Sequence, residues 1–247
     1  MIDAASAKRL AERLAAARLS GTRISDMPPL DLATGWRIQA ELARLLEPSL
    51  GLQCGWKLGA TNAGAMAFLG VDQPIVGRLF ADRVWHDSIS PEIAASAGLE
   101  AEPEVILRLG ADLRPTSAWL GIELNRPSFD DPFALGAGAI VADNAASYGL
   151  LCQHELATGA LDRPEAIEAI LLVDGQEQCR GSASAVLDGP LSALEALRTL
   201  LADDPRGLQP GDFVATGAMC RSEVLAPGAV PTVELGRARV GSEGKGV

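Results

Sequence analysis

The stretch Glu100-Ala101-Glu102-Pro103-Glu104-Val105-Ile106-Leu107-Arg108-Leu109 limits the fold more than any other part of the chain. Val105 to Leu109 is the apolar run of a buried strand. Side chains alternate along a strand, so Glu102 and Glu104 share one face at its entrance. Pro103 cannot donate to a sheet ladder, which confines it to a strand start, an edge or a bulge. Two carboxylates at the mouth of a buried strand cost free energy unless something positive sits between them. Oxygen ligands suit a hard divalent cation such as Mg²⁺, Mn²⁺ or Ca²⁺. A third carboxylate, Glu123, lies in the apolar run Trp119-Leu120-Gly121-Ile122-Glu123-Leu124. Taken alone, Glu-Pro-Glu also reads as a solvated acidic turn, and Glu123 as the wet side of a half-buried strand. Convergence of all three would make a metal site.

The chain has 247 residues, room for one large domain or one domain with a small appendage. Apolar residues make up 48% and aromatics only 4%, so Leu, Val, Ala and Ile fill the core. A net charge of −11 argues against nucleic acid or an anionic membrane as partner. An anionic small molecule stays open, because a bound cation or a local Lys reverses the field at one site. Cys54, Cys152, Cys179 and Cys220 form no Cys-x-x-Cys, which predicts reduced thiols in a cytoplasmic protein rather than a disulfide frame. No signal-peptide core and no run of about 18 apolar residues is found.

The chain divides into a helical N-terminal region, residues 1–50, and a β-rich catalytic domain, residues 51–247. Ala and Leu at helical spacing predict helices over about Ala4–Leu19 and Asp31–Leu46, the second ended by Pro48 and Gly51. Short apolar runs between Gly, Pro and Asp turns predict strands over Gln53–Leu58, Ile75–Leu79, Glu104–Leu109 and Ala118–Leu124. The same reading gives strands over Ala139–Ala142, Ala169–Val173, Asp212–Ala215 and Thr232–Leu235. A late helix opens with Pro190 at its first position. The class is α+β.

Other residues draw attention one by one. Lys57 lies inside a short apolar strand, Cys54-Gly55-Trp56-Lys57-Leu58-Gly59, where a Lys is unusual. It is either a surface Lys whose stem lies along the sheet, or a cation facing an anionic substrate. Asp143 and Asn144 end one apolar run and Thr216 and Gly217 another, positions equally suited to turns and to pocket walls. His86 and His154, the only histidines, belong to no catalytic pattern and read as structural. No phosphate-binding Gly loop stands between a strand and a helix.

Several of these segments, in order, resemble one family. They are Gly55-Trp56-Lys57-Leu58-Gly59, Gly70-Val71-Asp72-Gln73-Pro74, Gly77-Arg78-Leu79-Phe80-Ala81-Asp82, Glu102-Pro103-Glu104, Glu123, Val141-Ala142-Asp143-Asn144-Ala145, Pro210-Gly211-Asp212 and Thr216-Gly217-Ala218. The set is similar to the 2-keto-4-pentenoate hydratase branch of the fumarylacetoacetate hydrolase superfamily, which also contains 4-oxalocrotonate decarboxylases. The resemblance implies a mixed β-roll behind a helical N-terminal part. It implies Mg²⁺ or Mn²⁺ on Glu102, Glu104 and Glu123, with Lys57 as the catalytic residue. Leu79, Asp143, Asn144 and Thr216 are implied substrate-binding residues, and the assembly a homo-oligomer. The implied reaction is hydration of a 2-hydroxy-2,4-dienoate to a 4-hydroxy-2-oxo acid in the catabolism of aromatic compounds. Decarboxylation of a 4-oxalocrotonate-type acid comes second, followed by acylpyruvate C–C hydrolysis and by binding of a 2-oxo acid without catalysis. The chain departs from the pattern at Ile75, where hydratases of the branch carry Asp and the decarboxylases tend to be apolar. It also departs at Leu187-Asp188-Gly189-Pro190, where a His is replaced, and at Ala146, where a Ser is usual.

Overall fold

The Ala- and Leu-rich start of the chain folds as its spacing predicts, because each helix is capped locally. In the computed structural model, which describes residues 2–236, helix α1 spans Ala4–Ser20. The Asp3 carboxylate accepts the Ser6 amide at 2.7 Å and satisfies one of the free donors of its first turn. Asp31 does the same for Thr34, at 2.7 Å, at the head of α2 (Leu32–Leu50). Helix α2 passes through Pro48 instead of ending there. Pro48 is exposed, sits in the last turn, and forfeits a single ladder bond without a clash against the core.

Beyond α2 the order is β1 (Gln53–Gly59), α3 (Ala63–Leu69), β2 (Ile75–Phe80), β3 (Val84–His86), α4 (Pro91–Ala94), β4 (Glu100–Leu109) and β5 (Pro115–Asn125). Then come α5 (Ala137–Ala142), β6 (Ser147–Leu156), β7 (Glu168–Val173), β8 (Gln176–Ser182) and α6 (Pro190–Leu200). The described chain closes with β9 (Phe213–Ala218), β10 (Glu223–Val224) and β11 (Pro231–Leu235). The last stretch of the expected catalytic region, 237–247, lies outside the described residues.

An eight-stranded mixed sheet runs β2-β1-β9-β4-β5-β6-β3, with β10 added along β4. The pairs β1–β9 and β3–β6 are parallel and the others antiparallel. The strand β2 also touches β6, so the sheet curls on itself. A second sheet, β11-β7-β8, packs on its outer face. That face carries Trp56, Leu58, Val105, Leu107, Leu120 and Ile122 into the main core with Leu171, Val233, Leu194 and Leu197. The inner face alternates with it. It carries a smaller plug of Leu79, Ile106, Leu150, Cys152, Phe213 and Ala215, with Lys57 and the three glutamates above. The α+β class and the curled mixed sheet match the expected architecture.

Two expectations need correction. The run Ala139–Ala142 is not a strand but most of helix α5. Every residue of α5 is buried, and a short run that is apolar all round carries no period by which to tell helix from strand. The cysteines are not all reduced: Cys179 and Cys220, 41 residues apart, form a disulfide. Strand β8 lies against the segment that follows β9, with Gly181 on the Met219 carbonyl. Spacing along the chain cannot show that contact. Cys54 and Cys152 stay free.

Candidate metal centre

The register of β4 against β5 sets Glu102 directly across from Glu123, and Glu104 across from Gly121. Gly121 adds no side chain, and a Cβ there would lie 2.6 Å from Ile106 Cδ1 and 2.3 Å from the Leu151 carbonyl. Glu104 and Glu123 are fully buried, while Glu102 keeps partial access to solvent. One carboxylate oxygen from each lies within 4.8 Å of the others. Lys57 reaches this group from β1, and its Nζ lies 3.1 Å from Glu123 Oε2. Its stem crosses Gly77 of β2, where an added Cβ would come within 3.0 Å of Lys57 Cγ and 2.5 Å of the Asn144 carbonyl. The Lys is thus buried among acids and not laid along the surface.

Two backbone and side-chain donors hold the acids in place. The Gly217 amide donates to Glu104 Oε2 at 2.8 Å, and Asn125 Nδ2 to Glu102 Oε2 at 3.0 Å. A Cβ on Gly217 would lie 2.2 Å from Thr61 Oγ1, and its φ of +123° suits glycine alone. Glu104 Oε1 and Glu123 Oε1 are buried with no hydrogen-bond partner. Native proteins rarely leave such oxygens unpaired. Three carboxylates with one oxygen of each within 4.8 Å of the others, two of them holding an unpaired buried oxygen, fit a hard divalent cation.

Burial pushes the Glu102 carboxyl up to about 7, with Lys57 opposing and Glu123 and Glu100 adding to the rise. Burial followed by the charges of Glu123 and Glu102 raises Glu104 well above the ordinary carboxylate range. Burial also raises Glu123, against the pull of Lys57. For Lys57 burial acts to lower the pKa, but Glu123, Glu102 and Glu104 together hold the ammonium above its usual value. A cation must therefore displace protons. We expect Mn²⁺ affinity to climb as pH rises through 7, by about tenfold per unit for each proton displaced. Calorimetry in buffers of different ionisation heat measures the release; a flat affinity from about pH 6 to 8 would mean carboxyls already ionised. For the metal-free protein the opposite trend in stability is expected. With a folded pKa of about 7 against an ordinary 4.5, it loses stability as pH rises through that window, because the unfolded chain gives up its proton first.

The other expected site residues lie elsewhere. Leu79 belongs to the apolar plug beneath the acids. Asp143 accepts from Arg18 Nη1 at 2.9 Å, from the Ser128 amide at 2.7 Å and from the Ser128 hydroxyl at 2.7 Å. Asn144 imitates a neighbouring strand: its Nδ2 donates to the Arg78 carbonyl at 2.9 Å and its Oδ1 accepts the Arg78 amide at 2.7 Å. These anchors hold the left-handed turn Asn144–Ala146, with φ of 57°, 49° and 61°, and that turn presents Ala145 and Ala146 to the cavity. Thr216 Oγ1 donates to the Val105 carbonyl at 2.9 Å. None of Leu79, Asp143, Asn144 and Thr216 is among the residues lining the cavity described next. Asp143→Ala should leave the buried Arg18 guanidinium unpaired and cost about 3–5 kcal/mol in urea unfolding, with cation affinity unchanged. The histidines stay away from the acids: His154 Nε2 meets the Val233 carbonyl at 2.6 Å, and exposed His86 packs edge-on against Trp119.

A cavity of about 520 Å³ opens over the cluster and reaches it through Lys57 and Glu102. Its wall includes Thr61, Phe68, Ile75, Asn125, Phe133 and Ile140. Asn125 carries a sequence signal, since it shares a strand face with Glu123. Phe68 and Phe133 carry none, because they come from a short helix and a loop far apart in the chain.

No protein-family model matches the chain. It is 29% identical over 238 residues to a 4-oxalocrotonate decarboxylase of Pseudomonas sp., covering 89% of this chain and 90% of the relative. It is 35% identical over 188 residues to 2-keto-4-pentenoate hydratase 2 of Dechloromonas aromatica (strain RCB), covering 67% of each. Among solved structures, the 4-oxalocrotonate decarboxylase from Pseudomonas putida G7 complexed with calcium and acetate superimposes with a TM-score of 0.83. That match has 23% identity and covers 94% of both chains. The same enzyme complexed with magnesium and adipate gives 0.81. No helix among the described residues is long and apolar enough to cross a membrane.

Proposed function

Because the chain belongs to the 2-keto-4-pentenoate hydratase and 4-oxalocrotonate decarboxylase branch of the fumarylacetoacetate hydrolase superfamily, we propose that it is a divalent-metal-dependent lyase for a short 2-oxo acid or its 2-hydroxydienoate tautomer. The carrying observation is the trio of clustered carboxylates beside Lys57 at the foot of a cavity, two of them, Glu104 and Glu123, fully buried with an unpaired oxygen. Glu102, Glu104 and Glu123 would hold Mg²⁺ or Mn²⁺. When bound, the ion supplies Lewis-acid polarisation of a 2-oxo acid's ketone. Lys57, kept protonated by Glu123, donates a hydrogen bond to negative charge that develops on the substrate and stores a proton at Nζ. The Gly217 amide and Asn125 fix the acids against rotation. Ile75 and Ile140 supply an apolar side to the same cavity.

Hydration is the first reading: water adds at C4 of ketonised 2-hydroxypenta-2,4-dienoate to give 4-hydroxy-2-oxopentanoate. Decarboxylation is the second. One observation favours it: Ile75 is apolar where hydratases of the branch carry an acid, whereas likeness over 89% of the chain is shared by a decarboxylase and a hydratase. The same proposal places the enzyme in the cytoplasm as a homo-oligomer, in the breakdown of aromatic compounds.

Incubation with each substrate, with Mg²⁺ or with EDTA, separates the two. Metal-dependent loss of diene absorbance without CO₂ supports the hydratase. CO₂ released from 4-oxalocrotonate supports the decarboxylase, and no change with either substrate removes both.

A further inference from the structure

The cavity is larger than a five-carbon 2-oxo acid requires. At about 520 Å³ it falls within the range of sites for drug-sized ligands, about 300–1,000 Å³. An apolar wall begins beside the reacting end: a Cβ placed on Gly59 would lie 3.1 Å from Ile75 Cγ1 and 3.8 Å from Lys57 Nζ. From Ile75 the apolar surface continues through Ile140, with Leu69 packed against both. Phe68, next to Leu69, and Phe133 complete it at the cavity's rim. Their rings meet edge to face with centroids 5.2 Å apart, yet Phe68 is 71% exposed and Phe133 58%. Two large apolar side chains so exposed, on the wall of a site, gain from being covered by an apolar ligand.

Several polar groups of the same wall are engaged within the protein, the Thr61 hydroxyl excepted. Asn62 Oδ1 caps α3 through the Ala65 amide at 2.9 Å. Asn125 holds Glu102, and Glu100 Oε2 accepts from the Ser222 hydroxyl at 3.1 Å. Arg221, the one cation on the wall besides Lys57, donates to the Gln178 carbonyl at 3.1 Å and faces Glu223 at 3.8 Å. The charges near the cavity also count against a second anion. Glu100, Glu102, Glu104, Glu123 and Glu223 outnumber Lys57 and Arg221, and a divalent ion only brings the total near neutrality before substrate enters.

We propose that the site selects 2-oxo monocarboxylates, or their 2-hydroxydienoate tautomers, that carry an extended apolar tail beyond C5. The tail lies along Ile75, Ile140 and Leu69 and under the Phe68–Phe133 pair. An ω-carboxylate at that end is disfavoured, since Glu100 and Glu102 line the same cavity and repel it. This inference rests on the metal-assisted 2-oxo acid reading above in its hydratase form, since 4-oxalocrotonate itself carries an ω-carboxylate, and specifies its substrate class.

The test titrates Mg²⁺-loaded protein calorimetrically with 2-oxobutanoate, 2-oxohexanoate and 2-oxoadipate, and repeats each in EDTA. The last two share a six-carbon chain and differ only in the far end. A buried methylene is worth about 0.8 kcal/mol, or about fourfold in Kd, so the two added methylenes of 2-oxohexanoate should tighten binding about fifteenfold over 2-oxobutanoate. Against 2-oxoadipate, 2-oxohexanoate should bind about tenfold tighter, the combined effect of lost apolar contact and repulsion by Glu100 and Glu102. In Phe68→Ala and in Phe133→Ala the ratio between six- and four-carbon monoacids should fall toward one. Metal-dependent binding of all three acids with 2-oxoadipate equal or tighter, or a ratio unchanged in both variants, overturns the proposed tail specificity alone. Failure of every acid to bind in a metal-dependent way overturns the 2-oxo acid reading beneath it, and the proposal with it.

Discussion

Glu104→Gln should abolish divalent-cation binding and at the same time raise the thermal stability of the metal-free protein at pH 8. Glu104 is fully buried and has one carboxylate oxygen within 4.8 Å of an oxygen of each of the other two acids. Its side chain keeps the Gly217 amide bond through one oxygen in either form, so the local backbone has no reason to move. What Gln removes is a charge. A buried carboxylate whose pKa is driven up by desolvation and by two neighbouring acids opposes folding in its ionised form. A neutral amide of the same shape relieves that repulsion. A hard cation, in contrast, depends on the charge and on both lone-pair sites of the ligand. Loss of one carboxylate from three should weaken Mn²⁺ by at least about a thousandfold, near 4 kcal/mol. Calorimetric titration reads the first effect and differential scanning the second. Mn²⁺ bound as tightly as by the parent protein would remove Glu104 from the ligand set, and a metal-free variant that melts lower would mean the acid is structural.

The centre is legible in the sequence to the extent that it obeys the two-residue period of strands. Glu102 and Glu104 share a face, and the switch to Val105–Leu109 places that face at the edge of a core. Glu123 and Asn125 follow the same rule on the partner strand. The register that sets Glu102 opposite Glu123 is tertiary and has no local signal. The same holds for the reach of Lys57 to Glu123, which depends on Gly77, its partner on the neighbouring strand. Asp143 and Asn144 show the limit from the other side. Polar residues after an apolar run do mark the site's neighbourhood, but their side chains serve Arg18, Ser128 and the Arg78 backbone. Their effect on the cavity passes through the strained turn they hold, and the residues that touch it are alanines, which carry no chemical signal at all. Helix α5 and the Cys179–Cys220 disulfide are missed for the related reason that burial on all sides and contact across sheets are not written in spacing.

Lys57→Ala should leave cation affinity equal to or greater than the parent's while lowering kcat by about a thousandfold, the scale of a lost proton-transfer and charge-stabilising group. The charge balance explains the split. Three carboxylates, one ammonium and a divalent ion sum to zero. Removing the ammonium leaves the acids more attractive to the ion and less tolerant of an anionic substrate, so KM should rise as well. The fold has a separate stake in Lys57. Without metal, Glu123 loses its 3.1 Å partner, and its carboxyl must take up a proton to stay buried. The variant should therefore be less stable than the parent in EDTA and regain most of the difference with Mn²⁺. A merely structural role would restore turnover together with stability. A role at the reacting atoms would not, and a small primary amine added to the alanine variant should then recover part of kcat by entering the space the stem vacates beside Gly77. Turnover unchanged in Lys57→Ala, or fully restored by metal alone, would take Lys57 out of the chemistry.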